Sequence, residues 1–240
     1  MISAFVKAFQ QLPEATFRGV LIKSLGLAVV VFAALSVLAW PALSELDALL
    51  TDWLGWLPDS WIEGIVSWIS GIAVLAGYLV LATVLFAPVV SIFISLFLEE
   101  IAGAVEGRHY ASEPPAPGQP LGEAMATSLK FFVVMVVANI VVLPIYLLMI
   151  WMPLINVFIF YGLNGYLLSR EYFELVSMRR LDAGQAMALR KAHRGQLLGA
   201  GVVITFLFTI PLLNLLAPLL ATAAMVHLFQ SFRTSSEAQV

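Results

Sequence analysis

The sequence predicts an all-α integral membrane protein with two long transmembrane helices, two partly inserted (re-entrant) helical hairpins and amphipathic surface helices. The first reason is composition: 61% of the 240 residues are hydrophobic, 11% are charged, and the mean hydropathy is +0.97. Polytopic membrane proteins have this composition, and it leaves a single membrane domain over residues 1–240. The second reason is a series of long uncharged runs, and the third is the proline and asparagine residues that interrupt two of them.

The N-terminal residues 1–20 are expected to form a short helix in the membrane interface. Ile2, Phe5 and Phe9 make an apolar stripe at helical spacing, and Lys7 lies on the opposite side. Such a helix lies on the bilayer surface and does not cross it.

The first span is predicted at residues 21–44, because residues 24–44 carry no charge and 21 residues are enough to cross the bilayer once. Residues 45–63 are expected to be an acidic outer loop. They contain five acidic residues, three tryptophans and no Lys or Arg, which is typical of a non-cytoplasmic segment at the membrane surface.

The second span is predicted at residues 64–98. Its uncharged part contains Pro88 and allows either one tilted helix kinked at this proline or a helix that projects beyond the lipid. Residues 99–126 are expected to be a cytoplasmic loop, since they are polar and contain four prolines.

A re-entrant hairpin is predicted at residues 196–229. These 34 residues contain no Asp, Glu, Lys or Arg. One helix of this length would measure about 51 Å, too long for one crossing of roughly 30 Å and short for two. Pro211, Asn214 and Pro218 each remove or compete for a backbone hydrogen bond in the middle of the run, so the chain is expected to turn there.

Another hairpin, the first in chain order, is predicted at residues 127–169, which include the uncharged run 131–169, so that the hairpin at 196–229 is the second. Its Pro153-Leu-Ile-Asn156 sequence echoes Pro211-Leu-Leu-Asn214, which indicates two related hairpins. Asn156 and Asn214 are therefore candidate polar residues of a pore or of the hairpin tips. The competing role for each is to satisfy the backbone where the helix breaks.

Charge distribution sets the predicted topology. Residues 170–195 hold six of the 12 cations and are expected to form a basic amphipathic helix on the cytoplasmic surface, and residues 230–240 form a tail. Hairpins keep this segment and both termini on the cytoplasmic side. Two tight complete spans in place of each hairpin satisfy the positive-inside rule equally well.

Signatures of enzymes and cofactor sites are absent from the sequence. It contains no phosphate-binding loop, no nucleophile elbow and no zinc-protease motif, and it has no cysteine. We therefore expect no enzyme activity, no cofactor, no metal site and no nucleic-acid partner.

The polar and charged residues in and beside the uncharged runs are suited to binding an anion. The uncharged runs lack the acidic chains of proton-coupled pumps and the acidic rings of cation channels. Arg18 and Lys23 lie at the start of the first span with Gly19 between them, and arginine with backbone amides can bind an oxyanion. The alternative is that both cations contact cytoplasmic lipid head groups.

Two further signals concern packing. Gly195 and Gly199 match G-x-x-x-G, a helix-packing pattern with many false matches. Glu99, Glu100 and Glu106 are expected to lie at a solvated helix end or in an ion pair between subunits.

Several of these segments resemble the bacterial CysZ sulfate permeases. The most specific is the Ile-Pro-Leu-Leu-Asn sequence at 210–214, followed by Pro218 and small residues at 221–224. Residues 87–110 and the basic segment 170–180 are also similar to that family. The resemblance covers nearly the whole chain.

The resemblance implies a channel-like or facilitator permease that takes up sulfate across the bacterial inner membrane for cysteine biosynthesis. It also implies a homo-oligomer, a dimer or larger, in the lipid bilayer. In the family, sulfate binds a Gly-Leu/Ile-Arg-Arg motif at the first span. Here Arg18 matches the first arginine, Gly19 replaces the second, and Lys23 is a substitute that we infer. The alternative function is a membrane scaffold or assembly factor without solute transport.

Overall fold

The computed structural model describes residues 1–54, 60–114, 116–117 and 121–237. This part of the chain contains ten helices and no strand, which confirms the all-α prediction for it. The helices are α1 (Ile2–Gln11), α2 (Ala15–Leu54), α3 (Ser60–Ser95), α4 (Leu98–His109), α5 (Leu121–Leu148), α6 (Pro153–Ser177), α7 (Ala183–Ala192), α8 (Arg194–Thr209), α9 (Pro211–Asn214) and α10 (Ala217–Glu237). The larger compact unit comprises Met1–Leu21 and Ile94–Val240, and the smaller comprises Ile22–Phe93.

The smaller unit consists of most of α2 and α3, which run antiparallel. Asp47 accepts a hydrogen bond of 2.6 Å from the Ser70 hydroxyl, and the Ser36 and Tyr78 hydroxyls are also hydrogen-bonded. Residues nearer the C-terminus of α2 thus contact residues nearer the N-terminus of α3, as in any antiparallel pair. Polar contacts between two otherwise apolar helices fix their register.

One helical segment of the described chain, Ala15–Leu50, is long and apolar enough to cross a bilayer. Shorter apolar stretches lie at Ser67–Thr83, Val133–Leu148 and Arg194–Thr209. The last of these is the whole of α8, 16 residues or about 24 Å of helix against roughly 30 Å of hydrocarbon, whereas Val133–Leu148 is part of the 28-residue α5. The numbers of complete spans and re-entrant hairpins stay predictions.

Two segments predicted as loops are largely helical. The acidic outer loop, 45–63, is divided between the end of α2 and the start of α3, while Asp59 lies outside the described residues. Leucine and alanine between its acidic residues favour helix. The cytoplasmic loop, 99–126, begins with α4, since Leu98, Ile101, Ala102 and Val105 form a buried stripe at helical spacing and the prolines start only at position 114.

Helix α10 is the core of the larger unit. It contacts α1, α4, α6 and α8, and nearly every residue from Ala217 to Gln230 is buried. Its alanines let the neighbouring helices approach closely, and Phe229 packs edge-on against Phe173 of α6 with 6.2 Å between ring centroids. The apolar half of the second predicted hairpin is therefore covered by the chain itself.

Helices α6 and α8 cross at two glycines. A Cβ atom on Gly201 would overlap the carbonyl oxygen of Gly165 and lie 2.8 Å from the Ser169 Cβ. The G-x-x-x-G residues do not make this contact: a Cβ on Gly195 meets no described atom within 4 Å, and one on Gly199 meets the Met1 sulfur. The close backbone approach that the motif indicates thus occurs elsewhere on α8.

The two Pro-x-x-Asn tetrapeptides occupy different positions in the two hairpins. Pro153 begins the long helix α6, whereas Pro211 begins only the four-residue α9 and α10 follows from Ala217. Proline suits both starts because its missing N–H has no partner in a first turn. The two tetrapeptides are therefore similar in sequence but only partly similar in structure.

The basic segment 170–195 is not one helix. Helix α6 ends at Ser177, and α7 begins after Asp182, whose carboxylate accepts a 2.8 Å hydrogen bond from the Gln185 N–H. The Gln185 side chain accepts in return from the Asp182 N–H. This capping box starts a new helix and so separates Arg179 and Arg180 from the cations of α7.

Candidate anion site

The first turn of α2 positions Arg18. Its neighbours Phe17 and Val20 are buried, and this periodicity turns Arg18 outward, where it is exposed. Glu14, one turn earlier, forms an ion pair with Arg108, with 3.1 Å between Glu14 Oε1 and Arg108 Nη1. Within the described chain the Arg18 guanidinium makes no ion pair or hydrogen bond, so its full charge is available to an anion.

Gly19 is the fifth residue of α2. At this position helical geometry directs the backbone N–H to the carbonyl of residue 15. A Cβ at Gly19 would meet no described atom within 4 Å. What Gly19 offers beside Arg18 is therefore open space and not an additional N–H donor.

Lys23 is also exposed, but it belongs to the smaller unit while Arg18 and Gly19 belong to the larger one. Arg18 and Gly19 are thus residues of one compact unit, and Lys23 is a residue of the other. Joint binding of one anion by these residues stays a prediction.

Asn156 closes the turn between α5 and α6. Its Nδ2 donates to two carbonyl oxygens, each at 3.1 Å: that of Tyr146 in the last turn of α5 and that of Met149 just after it, which also accepts from the Met152 N–H at 2.8 Å. Asn214 ends α9, and its backbone N–H donates to the Ile210 carbonyl at 2.7 Å. Both asparagines lie at hairpin turns, and Asn156 has the structural role that competes with a pore role.

A buried ion-pair cluster joins α4 to the end of α6. Arg179 donates from Nη2 to Glu106 Oε2 at 3.0 Å and pairs with Glu99 as well. Arg180 donates from Nε to Glu106 Oε1 at 2.9 Å. Glu106 is thus neither at a solvated end nor in an intersubunit pair, because α4 places it on the face that packs against the rest of the chain.

The same arginines line an open cleft of about 560 Å³ with Arg233 and the loop after α4. Glu113 from this loop accepts from Arg180 at 3.2 Å and from Arg233 at 2.6 Å. Three arginines therefore face three carboxylates, those of Glu99, Glu106 and Glu113. Arg179-Arg180 is the single adjacent arginine pair in the sequence, but its charges are already matched.

Comparison with known families decides the class of this chain. A family model described as "Sulfate transporter CysZ/Etoposide-induced protein 2.4" matches residues 4–218. The chain belongs to this family. The match includes Arg18, Lys23 and both Pro-x-x-Asn tetrapeptides, and it confirms the resemblance noted from the sequence. A search among curated proteins gives no match to the chain.

At the level of the family, the description supports sulfate transport and a membrane location.

Proposed function

We propose that this chain is a channel-like or facilitator permease that carries sulfate across the bacterial inner membrane and so supplies cysteine biosynthesis. The observation that carries the proposal is the family match over residues 4–218, nearly the whole chain. The exposed, unpaired Arg18 and the apolar helices around it support the same function.

The proposed sulfate site consists of Arg18, Gly19 and Lys23. Sulfate is divalent, and guanidinium binds oxyanions through two parallel charge-assisted hydrogen bonds. Arg18 supplies the two parallel hydrogen bonds, Gly19 leaves room beside the guanidinium, and Lys23 supplies a second positive charge. With both termini in the cytoplasm, this site lies at the cytoplasmic end of the path.

The proposed path runs between the two hairpins, with Asn156 and Asn214 at their tips. Helix α8, Arg194–Thr209, is apolar and shorter than the hydrocarbon layer, as re-entrant helices are. Irregular backbone at membrane depth is stable where it lines a polar path or is covered by protein.

The proposed assembly is a homo-oligomer in the bilayer, a dimer or larger. The turn of the first hairpin exposes large apolar side chains, among them Trp151, which is 90% exposed, and its neighbour Leu154. Water would oppose this exposure, so lipid or a second copy of the chain covers the turn.

Influx of labelled sulfate into liposomes that hold only the purified protein tests the function. We expect saturable influx that excess unlabelled sulfate removes and chloride leaves unchanged. Arg18→Ala should reduce the influx at least tenfold. Lys191→Ala is the matched control, since it also removes an exposed cation that makes no ion pair in the described chain.

Two results would each overturn one part of the proposal. Unchanged influx in Arg18→Ala would overturn the site and leave the permease. Influx no greater than in empty liposomes, with the protein folded and inserted, would overturn the permease and favour the scaffold or assembly factor.

A further inference from the structure

The two helices of the first hairpin are held in different ways. Helix α6 packs on the rest of the larger unit, with Gly165 against α8 and Phe173 against Phe229 of α10. Nine α6 residues are buried. Helix α5 makes its main contact with α6, and among the α5 side chains that the structure describes none is buried. Because lipid is fluid, the position of α5 depends mainly on what joins it to α6.

Within the described chain, one side-chain hydrogen bond joins α5 to α6 away from the turn. Asn139 Nδ2 of α5 donates to Asn164 Oδ1 of α6 at 3.3 Å, and Asn164 is 3% exposed. Backbone carbonyls, which only accept, set the orientation of both amides. Asn139 Nδ2 also donates to the Met135 carbonyl at 2.9 Å, and Asn164 Nδ2 donates to the Phe160 carbonyl at 3.0 Å.

This amide pair can separate without losing most of its hydrogen bonds. An amide nitrogen carries two N–H groups, and each asparagine keeps its bond to the carbonyl one turn earlier in its own helix. Separation leaves only Asn164 Oδ1 and one N–H of Asn139 without a partner. Hydrogen bonds between membrane helices are individually weak. The pair therefore defines one position of α5 but does not lock it there.

A bending point lies between the amide pair and the turn. Pro144 is inside α5, and its missing N–H leaves one carbonyl of the preceding turn without its helical partner, a common cause of helix bending. On the other side of this point, Asn156 of α6 bonds the carbonyls of Tyr146 and Met149. The turn is thus fastened to α6, whereas the part of α5 that precedes Pro144 and contains Asn139 is free to swing.

We propose that α5 is a gate that swings away from α6 about Pro144, and that the hydrogen bond between Asn139 and Asn164 holds its closed position. The amide pair lies beside the crossing of the two hairpins, because Asn164 directly precedes Gly165, where an added Cβ would lie 3.0 Å from Val202 of α8. Movement of α5 therefore opens space next to this crossing. The assignment of that space to the sulfate path rests on the proposed function, but the swing itself does not.

Distances between spin labels test the swing, and the native sequence contains no cysteine that would interfere. Nitroxide labels are placed on Val133→Cys of α5 and Tyr166→Cys of α6, both exposed positions, in the full chain in liposomes. Pulsed electron paramagnetic resonance then gives the distribution of distances. We expect a main distance and a longer minor one, and Asn139→Leu should raise the longer population at least threefold.

The same measurement has two internal checks. Asn164→Leu should act like Asn139→Leu, and the double variant should add nothing, because both substitutions remove the same hydrogen bond. The matched control pair is Tyr166→Cys with Phe206→Cys of α8, and its distance should stay constant, since the crossing holds α6 and α8 together. Distances from α5 to α6 that do not respond to Asn139→Leu would overturn the proposal.

A cross-link tests the gate in the closed position. Asn139→Cys and Asn164→Cys are joined by a short thiol reagent that dithiothreitol cleaves, and sulfate influx should fall at least tenfold on linking and return on cleavage. The matched control is Tyr161→Cys with Thr209→Cys, which replaces two hydroxyls 3.3 Å apart on α6 and α8. Linking this pair should leave influx unchanged. Equal influx before and after linking α5 to α6 would also overturn the gate.

These outcomes are separate from the test of transport. Longer label distances in Asn139→Leu, in a protein without sulfate influx, would support the swing of α5 and overturn the permease. Sulfate influx that depends on Arg18 but is unaffected by the cross-link between α5 and α6 would support the permease and overturn the gate.

Discussion

Glu106 and Arg179, 73 residues apart in the sequence, form a buried ion pair in which Oε2 lies 3.0 Å from Nη2. Their side chains are 6% and 4% exposed. Arg180 donates to the second carboxylate oxygen, so one carboxylate holds the end of α6 against α4. Removing the Glu106 charge leaves three arginines facing two carboxylates, Glu99 and Glu113, so part of the buried positive charge is no longer compensated.

Glu106→Gln should therefore destabilise the larger unit by about 3–5 kcal/mol, the range for breaking a buried pair. Thermal unfolding in detergent, followed by circular dichroism, measures this change. The control is Glu14→Gln, which breaks a pair with Arg108, a side chain that is 63% exposed. Exposed pairs contribute about 0–1 kcal/mol, so equal losses in the two variants would contradict the assignment.

The close crossing of α6 and α8 predicts that a single methyl group added at Gly201 strongly destabilises the fold. Gly201→Ala should prevent the helices from approaching, because the added Cβ overlaps the Gly165 carbonyl. We expect a loss of more than about 3 kcal/mol, or no folded protein, since backbone atoms cannot move aside as a flexible side chain can. Yield of monodisperse protein and its melting temperature measure this.

Gly162→Ala is the control for that substitution. Gly162 also lies inside α6, but a Cβ there meets no described atom within 4 Å. The alanine should raise stability by up to about 1 kcal/mol through helix propensity. Equal loss in both variants would show that glycine flexibility, and not the helix crossing, matters.

The sequence was sufficient for features that depend on neighbouring residues. Uncharged runs predict the apolar helices, and the predicted break at Pro211 coincides with the gap between α8 and α9. It was insufficient for pairs formed across the fold. Glu106 looked solvated because Arg179 is distant in sequence. His109 and His227 are likewise far apart in sequence, yet their rings lie 5.1 Å apart. Helix packing, which no local pattern encodes, creates both contacts.

Asn156→Ala should destabilise the turn of the first hairpin. It removes both donors to the Tyr146 and Met149 carbonyls. Two net hydrogen bonds correspond to a loss of about 1–3 kcal/mol. A role confined to structure predicts that sulfate influx per folded molecule stays within twofold of the parent. A tenfold loss of influx at unchanged melting temperature would instead assign Asn156 to the path.

The pH dependence of stability has a specific source in Glu171, which lies beyond the predicted first hairpin. Burial, with the nearby Glu174 charge, raises the pKa of the Glu171 carboxyl from 4.5 to about 8, and Arg170 only partly opposes this. The folded state therefore binds this proton more tightly than the unfolded state. The stability that protonation contributes is fully present below pH 4.5 and is lost as the pH rises through about 8.

Glu171→Gln removes this titration and keeps the shape of the side chain. The melting temperature of the parent relative to that of Glu171→Gln should fall as the pH rises from 5 to 9, because only the parent must ionise a partly buried carboxyl. Taking the difference between the two proteins removes the contribution of every other titrating group. A difference that does not change with pH would mean that Glu171 is ionised in the folded protein at neutral pH.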